Sequence, residues 1–264
     1  MAIITMSMGS YGKGREIAEK VADRLGYECV SRDALFEASH EFHIPEIRLM
    51  RAPTVLDRFP LGKARYVAFL QKALFIHVQK DNVVYHGLAG HFFLKNVRHV
   101  LKVRVIAETE DRVQWRMERE NISKDEALRL LNQDDCRRRS WTLAVHGIDT
   151  TDPALYDLVV HLRRITTDDA VEIISHTAGL PQFETKPESQ QTLDDLVLAA
   201  RVKILIIRLW PAARVEADRG SVVILGEALL GEEGKVHAEI SSLARTVPGV
   251  EDVRVSARPT TAQA

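Results

Sequence analysis

The reading of the fold turns on Ile3-Ile4-Thr5-Met6-Ser7-Met8 and the run that follows, GSYGKGREIAEKVADRLGY, from Gly9 to Tyr27. A short apolar strand runs into a glycine-rich turn and then into an amphipathic helix, Gly14–Leu25. Gly9, Gly12 and Gly14 take the first, fourth and sixth places of an eight-residue turn. Glycines there permit positive φ, so that successive N–H groups converge on one anion, and the helix start adds its partial positive charge. In the phosphate-loop pattern G-x-x-x-x-G-K-[ST], the Lys reaches the β- and γ-phosphates and the hydroxyl ligates magnesium. Gly9 and Gly14 fit that pattern, with Arg15 at the Lys place and Glu16 at the hydroxyl place. Arg15 still suits phosphate, Lys13 is a second cation, and Ser10 belongs to the same loop. Glu16 is open to two readings: a direct magnesium ligand, or a carboxylate favoured in the first turn of a helix. A tight turn that merely joins strand to helix is the plainer alternative.

Outward from this turn, strands and helices alternate. Strands are expected at Ile3–Ser7, Asn82–Tyr85, Leu101–Ala107 and Leu155–His161, apolar on both faces as buried parallel strands are. Helices are expected at Asp33–Phe42, Lys63–Gln79, Glu110–Glu120, Lys124–Ala144 and Asp168–Ala178. The pattern predicts an α/β fold, a P-loop NTPase-like parallel sheet with helices on both faces, over residues 1–178. Gly179–Thr192, with two prolines and no period, reads as a linker. Beyond it come a helix, Leu193–Trp210, two alternating strands joined at Asp218-Arg219-Gly220, a helix, Glu233–Thr246, and a last strand, VEDVRVSA. This predicts a small αββαβ domain over 193–258, with 259–264 as a flexible tail.

Composition bounds the function. The 264 residues are 45% hydrophobic and 28% charged with a net charge of -1, so nothing global draws the chain to nucleic acid or an anionic membrane. Any anion site must be local. Cys29 and Cys136 are the two cysteines, without metal-ligand spacing, and the N-terminus lacks the order of a signal peptide. A cytoplasmic protein without a transmembrane segment is expected.

The run SMGSYGKGREIAEKVADRLGYECVSRDAL resembles the cytidylate kinase-like family, whose loop also ends in Gly-Arg-Glu, as Gly14-Arg15-Glu16 does here. The resemblance continues through VVYHGLAGHFFLKN at 83–96, the charged stretch to Trp141, and LYDLVVH. It implies phosphoryl transfer from ATP with Mg2+ to a nucleoside monophosphate or a similar small phosphate acceptor. It also implies an acceptor-side role for Asp33, which an N-cap before ALFEASHEF would equally explain, and a lid D-x-x-R at Asp135 and Arg138. By this resemblance Arg15, Asp33, Asp135 and Arg138 are the catalytic candidates. Gly9, Ser10, Gly12, Lys13, Gly14, Arg15 and Glu16 are the phosphate-binding ones, and Glu16 or Asp33 is the candidate for Mg2+. Asp134 with Arg138, and Asp135 with Arg139, also stand at ion-pair spacing on one helix. Arg112, Arg116 and Arg119 read as a charged outer helix face anchored by Trp115.

Two departures qualify the resemblance. His86-Gly87-Leu88-Ala89 stands where the family often has Gly-Arg, so the acceptor arginine is missing; Val159-Val160-His161-Leu162 stands where it tends to have Asn-Thr. The C-terminal unit resembles a BON domain at Val223, Leu225 and Gly226 and at the VPGV turn, Val247–Val250. That implies a protein partner or self-association through this unit. The alternative to an enzyme is a catalytically weak nucleotide sensor that signals through it.

Overall fold

The computed structural model describes residues 2–9, 12–31, 62–87, 89–229 and 233–260. Compactness divides the chain into two units, Met1–Ala34 with Lys80–Lys186, and Leu35–Gln79 with Pro187–Ala264.

The first unit is the expected α/β layer. Its described elements run β1 (Ile3–Met8), α1 (Gly12–Leu25) and β2 (Glu28–Ser31), and resume after α2 (Gly62–Val78), which belongs to the second unit. They continue with β3 (Val83–His86), α3 (Gly90–Phe93), β4 (Val100–Ala107), α4 (Thr109–Glu120), α5 (Lys124–His146), β5 (Leu158–Leu162) and α6 (Thr167–Ala178). Five parallel strands among these residues lie in the order β2-β3-β1-β4-β5. The chain fills one side of β1 and then crosses to the other, so the switch point falls at the carboxyl end of β1, where open α/β sheets bind ligands.

Alternation along the strands shows what each face does. Ile4 and Met6 of β1, Leu101, Val103 and Val105 of β4, and Val160 and Leu162 of β5 form one core with Ile17 and Val21 of α1 and Ile174 of α6. Each such side chain contributes about 1.5–3 kcal/mol by leaving water. The opposite face is not apolar throughout, as the sequence had suggested. Thr5 and Ser7 pair in register with Lys102 and Arg104, so two hydroxyls and two cations share that side of the sheet's centre.

A helical hairpin follows β4. Asn121 ends α4 in a left-handed conformation (φ 52), and the Ser123 hydroxyl caps α5 by accepting from the Glu126 amide at 3.3 Å. Val113, Ala127 and Leu131 seal the hairpin.

In the second unit, α2 packs on α7 (Pro187–Ile206), and β6 (Arg214–Asp218), β7 (Ser221–Leu229), α8 (Glu233–Arg245) and β8 (Asp252–Thr260) complete the αββαβ order. The helix begins six residues before Leu193, inside the stretch read as a linker, because Pro187 suits a first helical position. Arg219 (φ 45) and Gly220 (φ 84) form the two-residue turn between β6 and β7, with the positive φ that such hairpins require. Val202, Ile206, Val222, Ile224, Ile240 and Ala244 make its core.

Candidate functional site

The glycine turn has a different construction from the one its spacing suggested. The helix starts at Gly12, so Gly12 and Gly14 are helical, and the described glycines with positive φ lie elsewhere, at Gly26, Gly147, Gly220 and Gly249. Close packing explains both residues. A Cβ on Gly12 would stand 1.7 Å from the Trp115 ring, and one on Gly14 would stand 2.4 Å from Met8 Sδ. Lys13, Arg15 and Glu16 are exposed on the first turns of α1. Arg15 Nε pairs with Glu19 at 2.7 Å, and Glu16 pairs with Lys20 at 3.0 Å. Burial raises the Cys29 thiol to about 11, so it stays protonated near neutrality.

At the carboxyl ends of β1, β3 and β4 lies a cavity of about 420 Å3. Ser7 from β1, Gly9 just after it, His91 from α3 and Arg104 from β4 line it together with Arg112 from α4 and Asp135, Arg138 and Arg139 from α5. Of the expected site residues the structure therefore brings together Gly9, Asp135 and Arg138. Gly12, Lys13, Gly14, Arg15 and Glu16 are outside this lining, and Ser10 and Asp33 lie outside the described residues.

The cavity's charges are held across elements rather than along one helix. Arg112 Nη2 donates to both oxygens of Asp135 at 2.8 Å, and its side chain is only 14% exposed. Arg116 meets Asp134 at 2.8 Å, and Arg139 meets Asp149 at 2.6 Å. The Thr151 amide and hydroxyl, and then Arg139, hold the Asp149 carboxyl below its ordinary range. The same-helix pairs Asp134–Arg138 and Asp135–Arg139 are thus replaced, and α4 turns Arg112 and Arg116 inward instead of presenting an outer charged face. The reason is tertiary: the hairpin sets the two acids of α5 opposite arginines one turn apart on α4. Trp115 is an anchor, as expected, and packs at Gly12 with Arg119 5.1 Å from its ring centroid. Arg138 Nη1 donates to the Met8 carbonyl at 3.2 Å, which brings α5 to the end of β1.

Tyr156, absent from the sequence-based candidates, is the hub beneath. Its hydroxyl accepts from Arg104 Nη1 at 3.2 Å and lies 3.2 Å from Ser7 Oγ, 3.2 Å from His91 Nε2 and 3.0 Å from the Thr150 carbonyl. One phenolic proton serves one of these three at a time. His91 is 4% exposed.

An arginine-rich cavity at the switch point of a parallel sheet suits a phosphorylated ligand. The cytidylate kinase-like family matches residues 3–164. This chain belongs to that family. A cytidylate kinase of Sulfolobus acidocaldarius is 24% identical over 168 residues, which span 63% of this chain and 88% of that kinase. The crystal structure of an uncharacterized protein from Eubacterium ventriosum matches the fold with a TM-score of 0.52 at 15% identity, covering 67% of this chain and 97% of that one. Family membership supports a nucleotide or small-molecule kinase in class, with nucleotide binding and the ATP and metal such kinases use. Among the described residues, no helix is long and apolar enough to cross a membrane, and none of their acidic, His or Cys side chains cluster in threes as a metal site.

Proposed function

We propose that the chain is an ATP-dependent phosphotransferase of the cytidylate kinase type, moving a phosphoryl group from ATP to a nucleoside monophosphate or a similar small acceptor. The observation that carries this is the cavity: Arg104, Arg112, Arg138 and Arg139 converge from three elements on the end of β1. The lining fits a phosphate chain. It does not fit a magnesium site made by Glu16, whose carboxylate is paired with Lys20 on the outer side of α1. Magnesium chemistry is therefore assigned to no residue described here. Phosphoryl transfer needs positioning and charge neutralisation more than covalent help. In this reading Arg138, tied to the backbone where β1 ends, neutralises charge on the transferring group. Asp135 holds the Arg112 guanidinium in the cavity wall.

The competing reading is a nucleotide sensor with weak catalysis. It is favoured by the position of Arg15 and Glu16, which the loop pattern would enlist for catalysis and which lie outside the cavity lining. In either case we propose residues 1–178 as the kinase-like part and 193–258, led by a helix that already starts at Pro187, as a BON-like module for a protein partner or self-association. Free thiols at Cys29 and Cys136 accord with a reducing, cytoplasmic location. The decisive experiment is transfer from ATP with magnesium to a panel of nucleoside monophosphates, resolved by product separation beside an ATP-only control. Phosphorylation of one acceptor is the expected result. ATP binding without transfer to any acceptor would establish the sensor.

A further inference from the structure

Arginines lining a cavity are not equivalent when some already hold a carboxylate. Arg112 is bound to Asp135 and Arg139 to Asp149, so each gives up part of its field to an internal anion. Arg104 is different. Its partners are the Thr150 carbonyl, the Tyr156 hydroxyl at 3.2 Å and the Tyr156 ring, whose centroid is 5.5 Å away, all of them neutral. Among the described residues, no carboxylate pairs with it. Both of its hydrogen bonds leave from Nη1, so the donors on Nε and Nη2 remain for a ligand.

Its place in the fold sharpens the contrast. Arg104 sits on β4, in register with Ser7 of the central strand, half-buried at the cavity floor. Desolvating a guanidinium there without a counter-charge is unfavourable, and neutral oxygens compensate only in part. A cation held in this way, by rigid partners and beside an open volume, has the form of an anion subsite. Tyr156 fixes its direction. The same hydroxyl reaches Ser7 and His91, which line the same floor.

We propose that Arg104 is a ligand-binding residue of the cavity, taking a phosphoryl oxygen of the bound substrate, and that Tyr156 is its positioning residue. The inference rests on the phosphotransferase reading of the same cavity and adds a residue to it.

The test is calorimetric titration of the full chain with metal-free pyrophosphate, with melting curves, for wild type, R104M, R104K and Y156F. Wild type is expected to bind, and R104M to bind about ten- to a hundredfold more weakly, as loss of a charge-assisted hydrogen bond predicts. Ligand-free R104M is expected to melt at or above the wild-type temperature, because an uncompensated charge has gone. R104K is expected to recover part of the affinity. R104M binding as wild type does, or a wild type that ignores pyrophosphate, would overturn the proposal. If R104M does not fold, Y156F decides: about a three- to tenfold loss supports the assignment, and unchanged affinity overturns it. A wild type that binds pyrophosphate through Arg104 yet transfers phosphate to no acceptor would remove the kinase reading and leave this one standing.

Discussion

The exposed start of α1 and the cavity floor are both rich in charge, yet their charges are used differently. On α1, Arg15 reaches Glu19 and Glu16 reaches Lys20, each one turn along the same helix and each exposed. Such exposed pairs contribute little to stability and are screened by salt. In the cavity, Arg104, Arg112, Arg138 and Arg139 come from three elements, and each is held from outside its own element. Spacing in the sequence marks the first region as the phosphate site. Tertiary placement concentrates cations in the second. The lesson is that the glycine motif marks the end of β1, while the arginines that line the cavity there arrive from far along the chain.

The sharpest way to break this contrast is to remove one arginine from each region. R138M is expected to lower kcat/KM for phosphoryl transfer about 10²–10³-fold, the range seen when a preorganised donor to developing charge is lost. R15M is expected to stay within about threefold of wild type, since Arg15 is 65% exposed and engaged with its own helix. Steady-state kinetics with the acceptor found in the panel measures both. Equal losses would restore the loop to the chemistry and would end the distinction drawn here.

A second test concerns why the glycines are glycines. If Gly12 serves packing, G12A must displace the Trp115 ring, which lies 1.7 Å from the added carbon. Overpacking of this kind destabilises by about 1–3 kcal/mol. Urea unfolding should show that loss in G12A, and the G12A/W115A double variant should lose less than the two single changes summed. Additive losses would mean that Gly12 answers to something other than the indole.

These residues also show how far the sequence reaches. Period and turn chemistry place most of the described strands and helix boundaries within a few residues, because the apolar core of β1, β4, α1 and α6 is a local pattern repeated. The hairpin at Arg219-Gly220 is legible for the same reason. Asp135 and Arg138 are legible through a family pattern. Arg112 is not, because what turns it inward is Asp135, twenty-three residues away across a hairpin. Arg104 leaves one sign, the second of two charges at alternate positions of a strand that is otherwise apolar, and that sign acquires meaning only once β1 lies beside it with Ser7 in register.

The smallest effect comes from comparing Arg104 with its counterpart in the second unit. Lys203 on α7 is also a cation bound to neutral oxygens, the carbonyls of Pro211 (2.8 Å) and Ala213. Guanidinium stays charged at any working pH, but an ammonium can shed its proton instead. Burial lowers Lys203 from 10.5 to about 8. Below pH 8 both folded and unfolded chains are protonated, and the folded state bears the full penalty of burying the charge. Between about 8 and 10.5 the unfolded chain holds more protons than the native one, so this contribution to stability rises with pH. Above that window the penalty is gone. Melting temperatures across pH 7–10.5 should therefore show a modest upward contribution in wild type, relative to K203M, that is absent below the window. If the two proteins instead keep a constant offset throughout, Lys203 keeps its proton across the window, and carbonyl oxygens alone satisfy a buried cation in this chain. The case for an anion at Arg104 would then have to rest on pyrophosphate binding and not on its lack of a carboxylate.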